Sequence, residues 1–267
     1  MKKLTAIIIG INSDIGLSIG RHFVSKGMDV FGTYRSRSSE LETFSEKLSG
    51  LFECNFLSKD SVDECIAVLI DQKINWDFLI ICPGTMNPIG RFDRCTIDEW
   101  EEGLSVNLTM PLRMFHGLYP LKKNSQILPL VVFFSGGGSN SAPINYSSYI
   151  TSKIALTKAT ELLDAEFEDI KFTIIGPGWV KTKIHDETLK SKANSVNSAV
   201  ETERRLKEND FNPMSKVLDF FNWLIVSPKK IIGGRNFSIV HDQYLETSLT
   251  NRLEENKDLY KLRRHGN

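Results

Sequence analysis

The sequence predicts an α/β fold: a doubly wound parallel sheet of about seven strands, with helices on both faces, forming a single domain. Short apolar runs rich in β-branched residues alternate along the chain with segments of helical periodicity. The first run, residues 4–9, contains three consecutive isoleucines, as expected for a strand buried on both faces of a parallel sheet. The length of 267 residues suits one such domain, since α/β folds of about 250 residues are common.

The elements follow one another in strand–helix order. Apolar, β-prone runs place strands at residues 4–9, 29–33, 51–54, 78–82, 128–134, 170–175 and 236–240. Helical spacing places the main helices at residues 17–26, 39–48, 59–71, from about 97, 149–165 and 213–226. In such a fold the carboxyl ends of the strands share one edge of the sheet, and ligands bind there.

Composition narrows the possible partners. The chain carries 33 basic and 33 acidic residues, so its bulk charge favours neither nucleic acid nor an anionic membrane. No apolar run approaches the ~18 residues that span a bilayer. The four cysteines lack C-x-x-C spacing, so we expect reduced thiols in a cytoplasmic protein and no metal site.

A glycine turn follows the first strand. Residues 10–16 read G-I-N-S-D-I-G, with Asn12, Ser13, Asp14 and Ile15 between Gly10 and Gly16. Because a helix follows, its first N–H groups and its dipole can hold a pyrophosphate. An ordinary turn is the other interpretation.

Basic residues follow the second strand, where dinucleotide folds meet the adenosine ribose. Tyr34, Arg35, Ser36 and Arg37 include no carboxylate that could accept from a ribose 2′-hydroxyl. Arginine and serine donate to a 2′-phosphate instead. The pattern therefore favours NADP(H) over NAD(H), although a solvated basic turn would look the same.

Later turns fall on the same edge of the predicted sheet. Asn55 and Phe56 follow the third strand, and Pro83 and Gly84 follow the fourth. Residues 176–182, G-P-G-W-V-K-T, follow the sixth. This convergence predicts one extended ligand site.

The strongest catalytic signal is the pair Tyr149 and Lys153. The two residues are four apart at the start of a predicted helix, so they share one face. An ammonium near a phenol favours the phenolate, so we expect the pKa of Tyr149 to fall below about 10. Tyr149 is then a candidate proton donor near neutral pH.

On these residues the chain resembles the short-chain dehydrogenase/reductase family, in its non-extended branch, over residues 4–242. Residues 10–16 match the family's T-G-x-x-x-G-x-G loop, and Tyr149 with Lys153 its Y-x-x-x-K. Asn107 matches the helix asparagine, and residues 177–182 match P-G-x-[VI]-x-T. The family has a Rossmann-type fold, a nicotinamide dinucleotide cofactor and carbonyl–alcohol chemistry.

The resemblance implies roles for individual residues. Tyr149 would protonate the developing alkoxide, and Lys153 would hold the nicotinamide ribose and lower the pKa of Tyr149. Asn107 would anchor a water for proton relay, although an asparagine among apolar neighbours also fits a hydrogen-bonded core amide. The residues expected to line the nicotinamide are Pro177, Gly178, Val180 and Thr182.

Four positions depart from the family pattern. Asp14 replaces the middle glycine of the loop, so its carboxylate must point away from a pyrophosphate or pair with a cation. Residues 81–84 read I-C-P-G in place of N-N-A-G, and Asn55 replaces an acidic residue. Gly136 stands where the family has its catalytic serine. We expect Ser135 to replace that serine through the flexible glycines, with a backbone N–H as the alternative; Ser139 and Ser141 lie further along.

Two segments complete the predicted organisation, which assigns residues 1–242 to the catalytic domain. Residues 183–212, here called the lid segment, are polar and are expected to cover the substrate. Residues 243–267, the C-terminal tail, carry Leu245, Leu249, Leu253 and Leu259 at roughly helical spacing. The tail is expected to dock on its own domain or on a partner subunit, and the resemblance implies a homodimer or homotetramer.

The sequence thus predicts an NADP(H)-dependent oxidoreductase that interconverts a carbonyl and an alcohol on a small polar substrate. Lysines and arginines in the lid segment favour a polar or phosphorylated compound, such as a sugar derivative, over a steroid. The alternative is a catalytically silent NADP(H)-binding sensor or scaffold, which Gly136 and Asp14 favour. Retention of Asn107, Tyr149 and Lys153 together argues against it.

Overall fold

The computed structural model describes residues 3–124, 127–138 and 140–264. Its centre is a seven-stranded sheet in the order β3-β2-β1-β4-β5-β6-β7, with every neighbouring pair parallel. The predicted doubly wound parallel sheet is confirmed. The strands are β1 (Thr5–Ile9), β2 (Asp29–Tyr34), β3 (Gly50–Glu53), β4 (Phe78–Ile81), β5 (Leu130–Phe134), β6 (Lys171–Gly176) and β7 (Arg235–Ser238).

The described ranges contain eleven α-helices, more than the six main ones predicted. They are α1 (Asp14–Ser25), α2 (Ser39–Ser45), α3 (Lys59–Asp71), α4 (Ile97–Leu104), α5 (Met110–Leu118), α6 (Ser147–Glu166), α7 (His185–Lys190), α8 (Val196–Glu208), α9 (Met214–Val226), α10 (Lys229–Ile232) and α11 (Thr247–Glu255). A π-helical turn, Ser105–Thr109, separates α4 from α5 within the one helical region expected from about residue 97.

Two hydrophobic layers cover the faces of the sheet. Ile7 and Ile9 of β1 pack into one layer, and Ala6 and Ile8 pack into the other, all with no solvent exposure. Successive side chains of a strand point to opposite faces. The run of apolar residues in β1 therefore reflects burial on both sides, as predicted.

Chain order reverses between β1 and β4, which are direct neighbours at the centre of the sheet. Ile8 of β1 lies between Gly32 of β2 and Ile80 of β4. The turns that follow these strands open a crevice at the carboxyl edge, which is where doubly wound sheets bind ligands.

The lid segment is helical. It forms α7 and α8, and Thr188, Ala199 and Thr202 of these helices are buried. Asn145 Nδ2 donates to Asn194 O at 2.8 Å, and Asn194 Nδ2 donates to Ile89 O at 3.0 Å. These bonds hold the segment beside the loops that follow β4 and β5.

The tail packs against its own chain. Leu249 and Leu253 of α11 are buried in a core layer, while Leu245 is exposed. The guanidinium of Arg235 in β7 donates to the carbonyls of Leu253, Asn256 and Leu259. Of the two docking sites predicted for the tail, the structure shows the one on its own domain. Among the described residues, no helix combines the length and apolarity that a membrane crossing requires.

Candidate active site

The turns at the carboxyl edge enclose one cavity of about 1940 Å³. Most residues predicted from the sequence line it, while Gly16, Tyr34 and Asn107 do not. The predicted residues in its wall are Gly10, Asn12, Ser13, Asp14, Ile15, Arg35, Ser36, Asn55, Phe56, Pro83, Gly84, Ser135, Tyr149, Lys153, Pro177, Gly178, Val180 and Thr182.

The turn after β1 requires its glycines. Gly10 has a φ of +72°, and a Cβ atom there would lie 2.9 Å from Pro83 Cγ. A Cβ on Gly16 would lie 2.6 Å from Gly10 O, so Gly16 serves close packing and not ligand contact. Ser13 caps α1 by accepting from Gly16 N at 3.1 Å. The first-turn N–H groups of Asp14 and Ile15 have no intrahelical acceptor, and this turn fits a pyrophosphate.

Asp14, which replaces a family glycine, points its carboxylate towards the lid segment. Its Oδ2 accepts from the backbone N–H of Lys183 at 2.8 Å. The side chain is thereby held by a neutral backbone donor, so of the two expected arrangements the structure does not show the pairing with a cation. The carboxylate links the pyrophosphate loop to the start of the lid.

The predicted ribose pocket contains Arg35 and Ser36, and Asn12 Nδ2 donates to Ser36 O at 3.2 Å. Tyr34, which is expected to touch the cofactor, does not line the cavity. Its ring packs on a core layer and its hydroxyl accepts from Arg37 Nε at 3.3 Å. Tyr34 is the last residue of β2, and its side chain is directed away from the crevice.

Tyr149 and Lys153 lie on the first turns of α6, one turn apart as predicted. The Nζ of Lys153 is 5.9 Å from the centroid of the Tyr149 ring and donates to Phe134 O at 3.0 Å. The ammonium thus anchors the helix to the end of β5 and lies over the Tyr149 ring.

The pKa of Tyr149 moves opposite to the sequence expectation. Burial raises it to about 12, and the negative charge of Glu187 acts in the same direction. Burial also lowers the pKa of Lys153 to about 8. Desolvation outweighs the phenol–ammonium attraction because both groups sit deep in the cavity wall, where either charged form loses its hydration.

The hydroxyl of Tyr149 lies against Gly136, the position of the family's serine. A Cβ on Gly136 would lie 2.7 Å from Tyr149 Cζ, so the Tyr149 phenol occupies the space that a serine side chain at this position would fill. A Cβ on Gly176 would lie 3.1 Å from Ser135 Oγ, which places that hydroxyl towards β6.

Ser135 stays the predicted replacement for the serine, although its hydroxyl lies near Gly176. Its N–H donates to Ile175 O at 2.9 Å, so Ser135 still belongs to the β5–β6 pairing and the turn begins only at Gly136. Ser141 lines the cavity, and Ser139 lies outside the described residues. A backbone N–H of the glycine turn stays the alternative prediction for the second donor.

Asn107 is a hydrogen-bonded core amide, the second interpretation of its sequence context. It is fully buried in the π-helical turn. Its Nδ2 donates to Thr85 O at 2.8 Å and to Gly103 O at 2.9 Å, and its Oδ1 accepts from Thr85 N at 3.0 Å. Both amide hydrogens are committed to carbonyls, and the bonds to Thr85 fix the position of that residue.

Glu187 is a site residue that sequence reasoning missed. It lies on α7, half-buried, and its Oε2 accepts from Met86 N at 2.6 Å and from Thr85 Oγ1 at 3.1 Å. Thr85 and Met86 line the same cavity and were also missed. The available signal was an acid five residues after Thr182, in a segment expected to cover the substrate.

Comparison with known proteins agrees with this geometry. The family model described as short chain dehydrogenase matches residues 4–193. The 3-oxoacyl-(acyl-carrier-protein) reductase FabG of Buchnera aphidicola is 24% identical over 208 residues, covering 73% of this chain and 79% of the relative. D-beta-hydroxybutyrate dehydrogenase of Rhizobium meliloti is 22% identical over 200 residues, covering 72% and 77%.

Solved structures share the fold. A short-chain dehydrogenase/reductase of Saccharomyces cerevisiae aligns with a TM-score of 0.77 at 18% identity, covering 93% of this chain and 98% of that one. With a family model that spans most of the sheet and the Tyr149–Lys153 helix, the chain belongs to the short-chain dehydrogenase/reductase family and is an NAD(P)-dependent oxidoreductase.

Proposed function

We propose that this protein interconverts a carbonyl and an alcohol on a small polar substrate, with NADP(H) as cofactor and Tyr149 as general acid/base. The observation that carries the proposal is the position of Tyr149. Its phenol is buried against the Gly136 turn, in the cavity that also contains the α1 N-terminus and Arg35. The candidate proton donor and the residues that would hold the dinucleotide thus line the same cavity.

The cavity wall offers a place for each part of the cofactor. The N-terminus of α1 would hold the pyrophosphate, Arg35 and Ser36 the 2′-phosphate, and Asn55 with Phe56 the adenine. When bound, the nicotinamide would supply or accept hydride. The residues assigned to its surroundings are Pro83, Gly84, Lys153, Pro177, Gly178, Val180 and Thr182.

The raised pKa of Tyr149 supports the acid role in carbonyl reduction. A phenol with a pKa near 12 keeps its proton at neutral pH and can donate it to a developing alkoxide. N–H groups of the glycine turn would share the charge on that oxygen. In the oxidative direction the phenol must first lose its proton, and the Lys153 ammonium would favour that loss.

The remaining organisation is proposed from the same arrangement. Residues 1–242 form the catalytic domain, the lid segment covers the substrate, and the tail seals β7. A homodimer or homotetramer in the cytoplasm is the proposed working form.

A second candidate function has one observation in its favour. Gly136 and the committed amide of Asn107 leave Tyr149 without the side-chain partners usual in the family. A nucleotide sensor without turnover would tolerate that loss. It would bind NADP(H) but reduce no carbonyl compound.

Fluorescence titration with NADPH and NADH tests the cofactor assignment. We expect Arg35→Ala to weaken NADPH binding about tenfold and to leave NADH binding unchanged, because only NADPH carries the 2′-phosphate. Arg37→Ala is the matched control, since Arg37 stacks on the Tyr34 ring with its guanidinium 5.0 Å from the centroid. Equal losses for both nucleotides would contradict the assignment.

A carbonyl panel then separates enzyme from sensor. NADPH oxidation with any carbonyl compound, abolished in Tyr149→Phe, supports the oxidoreductase. Tight NADPH binding without turnover on the whole panel favours the sensor.

A further inference from the structure

We propose that Glu187 is a specificity-determining residue that binds substrate hydroxyl groups. The enzyme would then prefer uncharged, polyhydroxylated carbonyl compounds over carboxylated or phosphorylated ones. This inference rests on the proposed function, because it assumes that the substrate carbonyl lies beside Tyr149.

The carboxylate of Glu187 is held in one orientation. Met86 N and Thr85 Oγ1 both donate to it, at 2.6 Å and 3.1 Å. Thr85 is itself fixed by the buried amide of Asn107 through two backbone bonds. A carboxylate that is already held by such hydrogen bonds can discriminate between ligands, because it loses little conformational entropy when they bind.

One oxygen of this carboxylate keeps capacity for a ligand. The single hydroxyl proton of Thr85 is shared between Oε1 at 3.2 Å and Oε2 at 3.1 Å, and the Met86 N–H engages Oε2. A carboxylate offers about four acceptor positions, so Oε1 can accept further hydrogen bonds. Within the described ranges no lysine, arginine or histidine forms an ion pair with Glu187.

Glu187 is close enough to the reacting position to act on a substrate there. It lines the same cavity as Tyr149, and its charge contributes to the raised pKa of that phenol. The same charge would act on substrate atoms that lie between Glu187 and the phenol. It repels a carboxylate or phosphate at that point and attracts the O–H dipoles of hydroxyl groups.

The surrounding wall contains uncharged polar side chains that can bind hydroxyl groups. Asn87, Ser141, Thr188 and Ser198 line the cavity and can exchange hydrogen bonds with hydroxyls. Basic groups on this wall are accompanied by acids, since Lys190 and Arg205 line it together with Asp186 and Glu201, and Arg205 pairs with Glu201 at 2.8 Å. A compound with several hydroxyls and no charge satisfies both the carboxylate and this wall.

The test measures binding without turnover, in the NADPH complex of Tyr149→Phe. Three four-carbon ketones serve as probes: L-erythrulose with three hydroxyls, 2-butanone with none, and acetoacetate with a carboxylate. Each is titrated by the change in NADPH fluorescence, with and without Glu187→Gln. Glu203→Gln is the matched control, because Glu203 is a lid carboxylate that pairs with Lys192 at 2.8 Å and does not line the cavity.

We expect Glu187→Gln to weaken L-erythrulose binding about tenfold, because bonds to a charged acceptor are about twice as strong as neutral ones. Acetoacetate binding should strengthen about tenfold, because the substitution removes the negative charge that repels its carboxylate. Binding of 2-butanone should change less than about twofold, because this probe has neither a charge nor a hydroxyl group. Glu203→Gln should alter none of the three. Three results would overturn the inference. The first is an L-erythrulose affinity that Glu187→Gln leaves unchanged, and the second is no L-erythrulose binding at all. The third is acetoacetate binding as tight as that of L-erythrulose while Glu187 is present.

Failure of the proposed function has a different signature. It would appear as absent NADPH binding, or as reduction of L-erythrulose that survives Tyr149→Phe. If NADPH still binds and Glu187→Gln leaves the affinities of all three probes unchanged, only the role of Glu187 is contradicted.

Discussion

Asp14 Oδ2 accepts a hydrogen bond from the backbone N–H of Lys183 at 2.8 Å, across 169 residues of sequence. This bond joins the start of α1, where a pyrophosphate would bind, to the start of the lid segment. The lid is held a second time just beyond, where the His185 ring stacks on Trp179 at a centroid distance of 3.9 Å. A residue that departs from the family loop thus has a structural role here.

Removing the carboxylate of Asp14 should loosen the start of the lid segment. In Asp14→Ala we expect protection of the Lys183 amide against hydrogen exchange to fall about tenfold, since hydrogen bonds to charged groups contribute about 1.5–3 kcal/mol. NMR-detected exchange of the cofactor-free protein measures it. Asp60→Ala, which removes a first-turn acid of α3, is the control. Unchanged protection would show that Asp14 does not hold the lid.

Tyr149→Phe should lower kcat about 10²–10⁴-fold on any carbonyl compound that the protein reduces, because the proton donor is lost. NADPH affinity should stay within about twofold, since the assigned cofactor contacts remain. The control is Tyr119→Phe, which shares the Y-x-x-x-K spacing. Lys123 donates to Asp77 at 2.7 Å, and Tyr119 packs on Phe115, so that pair is structural. Full activity in Tyr149→Phe would refute the acid role.

Lys153 should destabilise the cofactor-free protein at neutral pH. Its pKa is about 8 in the folded state against 10.5 for the ordinary value, so the unfolded chain binds more protons between these limits. Stability therefore rises with pH across this window, and the burial cost is fully present below pH 8. Tyr149, with its pKa raised to about 12, stays protonated in both states below about pH 9 and does not contribute there.

Lys153→Met should accordingly raise the free energy of unfolding at pH 7 by about 1–3 kcal/mol, and the gain should shrink towards zero by about pH 10. Urea unfolding at both pH values measures it. Lys158→Met, on the exposed side of the same helix, should change stability by less than about 0.5 kcal/mol at either pH. A gain that does not depend on pH would contradict the assigned cause.

Features that depend on neighbouring residues could be predicted from the sequence, whereas features that depend on contacts distant in sequence could not. The bounds of α3 agree with the predicted helix, and β5 differs by two residues, because periodicity and caps are local properties. Helix α1 begins three residues earlier than predicted, because the Ser13 side chain caps it. Glu187 and Asn107 depend on contacts with Thr85 that are 102 and 22 residues away in sequence, and no local pattern reports them.

The direction of the Tyr149 pKa shows the same limit. Helical spacing correctly placed Lys153 beside the phenol, yet burial decides the sign, and burial depends on the whole cavity wall. The prediction of a catalytic role for Ser135 meets a similar limit. The number of residues before Tyr149 does not reveal that the β5–β6 pairing continues through its N–H.

Restoring the family serine at Gly136 should impair the enzyme. A Cβ there would lie 2.7 Å from Tyr149 Cζ and Cε1, so the phenol must swing away from its present position. We expect Gly136→Ser to lower kcat by about tenfold or more, because a displaced proton donor loses its alignment with the substrate oxygen. Gly137→Ser is the matched control, since nothing lies within 4 Å of a Cβ at that position. Steady-state kinetics on one carbonyl substrate compare the two variants, and a rise in kcat for Gly136→Ser would show that the turn adapts and that a hydroxyl donor is the missing element.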